Sequence, residues 1–160
     1  MTGNASQIIR WLTTQKQDAV WEITKRKKKR SLDANGYYWK LVSEIADKLR
    51  VSKNEVHNIL LRRYGQAEGI DGRLVTVYIP DTEKAEKQAL MAEDYHIKPT
   101  SYVKAGTKGQ TFRAYILLRG SRTYNTKEMS VLIEGTIQEA EQMGIQTLTP
   151  KELERYGQHH

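Results

Sequence analysis

A chain of 160 residues, 38% of them apolar, has material for one domain with its own core and too little for two. It contains no cysteine, which excludes disulfide frameworks, cysteine-held zinc and thiol nucleophiles and accords with a reducing compartment. The formal charge of +7 is unevenly spread: residues 1–65 hold 14 Lys/Arg against 6 Asp/Glu, and residues 66–160 hold 12 against 13, an asymmetry that points to a polyanionic partner, nucleic acid ahead of a membrane surface, with a solvated basic face that only aids solubility as the alternative.

Residues 1–10 lack the basic-then-apolar order of an export signal, and no stretch approaches the ~18 apolar residues of a membrane span. A cytoplasmic protein that does not engage a membrane is expected. Residues 5–14 read as a short helix with Ile8, Ile9, Trp11 and Leu12 on one side. Residues 18–24 alternate, with Ala19, Trp21 and Ile23 against Glu22 and Thr24, and predict a strand. That strand continues into six consecutive cations: Lys25, Arg26, Lys27, Lys28, Lys29 and Arg30. Side chains alternate across a strand, so cations on both faces make it an edge, or a ribbon that leaves the core.

Ser31 or Asp33 can cap the next helix. From there Leu32, Tyr38, Leu41, Val42, Ile45, Ala46 and Leu49 recur at helical spacing, predicting an amphipathic helix of about 18 residues. Ser52 and Glu55 have the spacing of a capping box, opening a second helix with Val56, Ile59, Leu60 and Tyr64 inward and Gly65 at its end. The β-branched run 74–79 reads as a strand closed by Pro80 and Asp81, and residues 82–94 as a helix with a charged outer face. Residues 101–105 and 111–118 predict a hairpin across Gly106 and Gly109. Asn125 caps a long helix to Met143, closed by Gly144, and Thr149, Pro150 and Glu152 start a last short one. The expected fold is a single α+β domain over residues 1–158, with helices packed on a small, mostly antiparallel sheet.

The cationic run meets the start of a helix, where free N–H groups and the macrodipole favour anions. Together they make a phosphate-binding edge whose binding is salt-sensitive and tolerant of sequence. Asn35, Tyr37, Tyr38 and Trp39 follow within the first turns. Single-strand binders join a cationic groove to rings on which bases stack. Tyr38 lies on the apolar stripe and reads as core. Tyr37 and Trp39 flank it and are candidate contacts, with burial in the core as the alternative. Arg119, Arg122 and Lys127 form a second cluster in a glycine- and hydroxyl-rich loop ahead of a helix, where a plain surface cap is the competing reading. Lys104, Lys108 and Arg113 decorate the hairpin and extend a surface. For Arg62 and Arg63, at a helix C-terminus, the structural reading is the better one. His57 and His96 have no companions at metal-ligand spacing, the acidic residues fall on solvated helix faces, and there is no phosphate-binding glycine loop. No catalytic residue, metal or other cofactor is expected.

The stretch KRSLDANGYYWKLVSEIADKL resembles the N-terminal core of phage recombination proteins of the NinB (Orf) family, through Arg30, Ser31, Leu32, Asp33, Asn35 and Trp39. The later GSRTYNTKEMSVLIEGTIQEAEQMGIQTLTPKELE is similar to the C-terminal part of relatives from firmicute phages. The resemblance covers roughly residues 20–64 and 120–154. It implies a dimeric protein that binds single-stranded DNA and helps load or exchange a strand-annealing protein or recombinase, in the host cytoplasm if phage-encoded. The chain departs from the family in opening with a helix rather than a hairpin, and it lacks the cysteines of the zinc module fused to some relatives. The function expected is a non-enzymatic recombination accessory protein that contacts single strands or DNA junctions, with a phage recombinase or single-strand-binding protein as its partner. The rivals are a metal-dependent nuclease of phage recombination and a protein–protein adaptor whose basic edge meets an acidic partner.

Overall fold

The computed structural model describes residues 2–23, 32–149 and 151–153. Its elements run α1 (Ala5–Leu12), α2 (Leu32–Leu49), α3 (Lys53–Tyr64), β1 (Gly69–Ile70), β2 (Arg73–Leu74), β3 (Thr76–Pro80), α4 (Glu83–Met91), β4 (His96–Ala105), β5 (Thr111–Leu118), a 3₁₀ turn at Ser121–Thr123 and α5 (Thr126–Gln142). This is an α+β arrangement in which both small sheets are antiparallel.

The apolar stripes predicted for the central helices do what their spacing requires. Tyr38, Leu41, Val42 and Ile45 of α2 meet Val56, Leu60 and Leu61 of α3 and Leu132, Ile133 and Ile137 of α5 in one core. Leu61, absent from the predicted inward set, is fully buried, whereas Ile59 is only half-buried. Helix boundaries follow local chemistry. Ser52 Oγ accepts the Glu55 N–H at 3.1 Å to open α3. Asn125 and Glu128 exchange bonds of 2.8 and 3.1 Å in a full capping box on α5. At the other end α2 and α5 close alike: the Val51 N–H reaches back to Ala46 O and the Ile145 N–H to Ala140 O, across a left-handed residue. That residue is Gly144 at φ 75° in one case and Arg50 at φ 56° in the other.

The larger sheet has the order β3-β5-β4. Since β5 pairs antiparallel with both neighbours, β3 and β4 run parallel on its flanks, joined through α4. This is a split β-α-β unit. Val77, Ile79, Ile97, Tyr115 and Leu117 form a second small core with Ala89 of α4 on one sheet face. β4 starts earlier than residue 101: its first half, from His96, pairs with the end of β5, and the register shifts between Pro99 and Val103. Pro99 is tolerated because β4 is an edge strand. The tiny β1–β2 hairpin turns on Asp71 and Gly72, both at positive φ.

The predicted strand over 18–24 is corrected. Residues 18–23 are not strand, Val20 is 99% exposed, and Trp21 meets Trp11 of α1 edge-on at 4.7 Å. Alternation creates a strand only where another edge supplies the hydrogen bonds. The basic run it was to feed, Lys25 to Arg30, lies outside the described residues, as do Ser31 and the Asp33 side chain, the two expected caps of α2.

Candidate nucleic-acid interface

Three groups of expected contact residues can be followed onto the fold. The first begins at α2. Asn35 is exposed in its first turn. Tyr37 is 7% exposed, and its hydroxyl accepts the Leu148 N–H at 2.9 Å, tying α2 to the segment after α5. A ring so placed has no face for a base, so Tyr37 leaves the candidate surface and joins the core. Trp39 is half-buried, with one side of its indole over His57 at 4.6 Å.

The second group, around the 3₁₀ turn, is largely satisfied from within. Arg119 donates to both carboxylate oxygens of Glu128, the shorter bond 2.6 Å, and to Thr123 O at 2.8 Å. The hydrogen bonds it donates to Glu128 hold its guanidinium above the ordinary arginine range. The same Glu128 caps α5, so the start of that helix already carries a carboxylate. Arg122 and Lys127 are exposed on either side.

The third group divides across the sheet. Arg113 shares the α4 side with Tyr115 and grips Asp81 at 2.8 Å and Thr100 O at 2.8 Å. Lys104 pairs with Phe112 in register and so stands on the opposite face, its Nζ 3.7 Å from the Tyr78 ring centroid. Lys108 is exposed in the connecting turn. The expected common surface of Lys104, Lys108 and Arg113 is therefore corrected: strand alternation puts Arg113 on the other side from Lys104.

Arg62 and Arg63 behave as helix-end residues. Arg62 joins Glu86 and also donates to Ile97 O at 2.8 Å, and Arg63 joins Glu139 at 2.7 Å. Among the described residues, no three His, Asp or Glu side chains gather as metal ligands, and no helix is long and apolar enough to cross a membrane.

Two features escaped the sequence reading. His57 and His96, each read as solitary, lie 5.2 Å apart ring to ring. Tyr38 Oη and His57 Nδ1 share a 2.6 Å bond. Asn58 donates its amide to Leu90 O and Ala92 O at 2.7 and 2.9 Å. Its remaining oxygen faces His96 Nδ1 at 2.5 Å and so accepts from it, which fixes the His96 tautomer. Burial, then His96, lowers the His57 pKa to about 4, and burial lowers that of His96. Both rings are neutral at pH 7 and serve as struts between α2, α3 and β4. Second, the sheet face away from α4 exposes Tyr78 and Tyr102; the alternation of TVYIP was the available signal.

No family model matches the chain, and no solved structure matches it. A protein of Caenorhabditis elegans named as a hydroxypyruvate isomerase is 37% identical over 76 residues, covering 47% of this chain and 29% of that protein. The chain thus meets less than a third of that relative's length, and the match transfers no activity.

Proposed function

We propose that this protein is a non-enzymatic, DNA-binding accessory protein of phage-type recombination. It holds single strands or junctions along the cations Lys25 to Arg30 at the head of α2 and assists a strand-annealing protein or recombinase. One observation carries the reading. Four arginines elsewhere are paired with carboxylates, as Arg62–Glu86, Arg63–Glu139, Arg113–Asp81 and Arg119–Glu128, while the run has no acidic residue in sequence between Glu22 and Asp33. Six adjacent like charges repel unless an anion of matching linear density lies along them, and a phosphate backbone has that density. The NinB resemblance supports the same partner and adds a homodimer.

The test is a salt-titrated binding assay with single- and double-stranded oligonucleotides of unrelated sequence. Substituting Lys27, Lys28 and Lys29 with glutamine is expected to weaken binding about equally for all sequences. It should flatten the plot of log affinity against log salt by roughly 0.7 per single-strand phosphate contact removed. Parent-like affinity and slope in that variant would refute the reading and favour the adaptor. DNA cleavage with magnesium or manganese, lost on replacing a carboxylate, would instead favour the nuclease.

A further inference from the structure

The sheet face away from α4 is unusual in what it leaves in water. An antiparallel sheet with one covered face normally presents polar residues on the other. Here Tyr78 of β3 is 43% exposed and Tyr102 of β4 59% exposed, their ring centroids 6.4 Å apart and their planes at 69°. Between them on β5 lies Ala114, the register partner of Tyr78. Its small side chain leaves the two rings standing above a low floor. The charge of the sheet is of one sign. Strands β3, β4 and β5 contain no Asp or Glu, and Lys98 and Lys104 both stand on the Tyr78 face by their register with Ile116 and Phe112.

We propose that this face is a stacking platform for single-stranded nucleic acid, with Tyr78 and Tyr102 each taking a base and Lys104 and Lys98 the adjoining phosphates. Rings without carboxylates suit bases, and flanking cations suit the backbone that joins them. Lys104 rests on the Tyr78 ring in the free protein. A base stacks on a ring more strongly than an exposed ammonium holds to it, so a strand displaces the lysine onto a phosphate. A duplex hides its base faces and gains nothing from the rings. For its ligand the inference rests on the reading of the chain as a single-strand binder. It adds a second contact region, on a different element from the basic run.

Fluorescence anisotropy with a labelled oligothymidine, and with a duplex of equal length, tests it. Tyr78→Ala with Tyr102→Ala is expected to lower single-strand affinity by about 30-fold or more with little change in duplex affinity or salt slope. Tyr78→Phe with Tyr102→Phe is expected to retain parent affinity, since the ring and not the hydroxyl stacks. Lys104→Gln should lower the salt slope. All these side chains are exposed, so unchanged melting temperatures are expected. Parent-like single-strand affinity in the double alanine variant overturns the platform; if the Lys27, Lys28 and Lys29 variant has meanwhile lost binding, the function stands without it. A parent protein that binds no oligonucleotide at low salt overturns both. A double alanine variant that changes only the oligomeric state, at unchanged affinity, also overturns it, marking the face as a contact between copies.

Discussion

At the scale of single residues, the buried pair His57 and His96 gives the protein a pH dependence of known sign. In the unfolded chain His57 titrates near its ordinary 6.5, whereas in the fold it titrates at about 4 because burial, and then His96, disfavours its charge. Between those values the unfolded state binds more protons, so stability is complete above about pH 6.5 and falls as pH drops towards 4. The loss from His57 is on the order of 3 kcal/mol, and His96 acts in the same direction. Glu86 and Glu139 act lower. Burial alone would raise them, but hydrogen bonds from Arg62 and Tyr115, and from Tyr64 and Arg63, bring both below the usual carboxylate value. Urea midpoints at pH 7.5, 5.5 and 4.5 should therefore decline already at 5.5. His57→Gln should be less stable at pH 7.5 but show a shallower decline; an equally steep one would move the effect elsewhere. This network was not legible beforehand, because the ordering partners of His57 and His96 come from Tyr38 and Asn58, 19 and 38 residues away.

At the scale of elements, two junctions make opposite predictions. Arg50 holds the left-handed position that Gly144 holds in the equivalent closure of α5. A side chain there strains the backbone by roughly 1–2 kcal/mol, partly offset by the greater unfolded freedom of glycine. Arg50→Gly should raise Tm by a few degrees, and a lowered Tm would show that the exposed Arg50 side chain contributes more than its strain costs. Gly135 is the reverse case: a Cβ there would lie 2.3–2.5 Å from three Tyr64 ring atoms where α5 crosses α3. Gly135→Ala should destabilise by about 1–3 kcal/mol through forced separation, read as a lower urea midpoint. Helices were legible because a stripe at 3.6-residue spacing needs only its own residues. Strands depended on partners. Residues 18–23 alternate yet form no strand with any described residue, while residues 96–99 pair with β5 although they include a proline. The Asp71–Gly72 hairpin had a short-range signal that the neighbouring strand prediction obscured.

At the scale of the whole molecule, net charge was legible and its pairing was not. Arg63 meets Glu139 across 76 residues and Arg113 meets Asp81 across 32. Sequence alone could not tell which cations hold the fold together. The expected homodimer is tested on the same scale. Light scattering at micromolar concentration should report twice the 18.5 kDa of the chain, since closed two-fold pairs are the commonest assemblies; a strictly monomeric species would remove the dimer from the proposed function.

The position of β5 has a consequence for synthesis. It is the last strand of its sheet to leave the ribosome, yet it lies between the other two and supplies every ladder bond of β3 and β4 among the described residues. Until residue 118 has emerged, β3 and β4 lack the strand that lies between them, and α2 and α3 still await the apolar face of α5. A nascent chain therefore acquires its sheet and its helical core late and close together. Fragments ending near residue 110 should give helical circular dichroism without a cooperative melt, and a sharp transition in such a fragment would show that α2 and α3 fold without the rest.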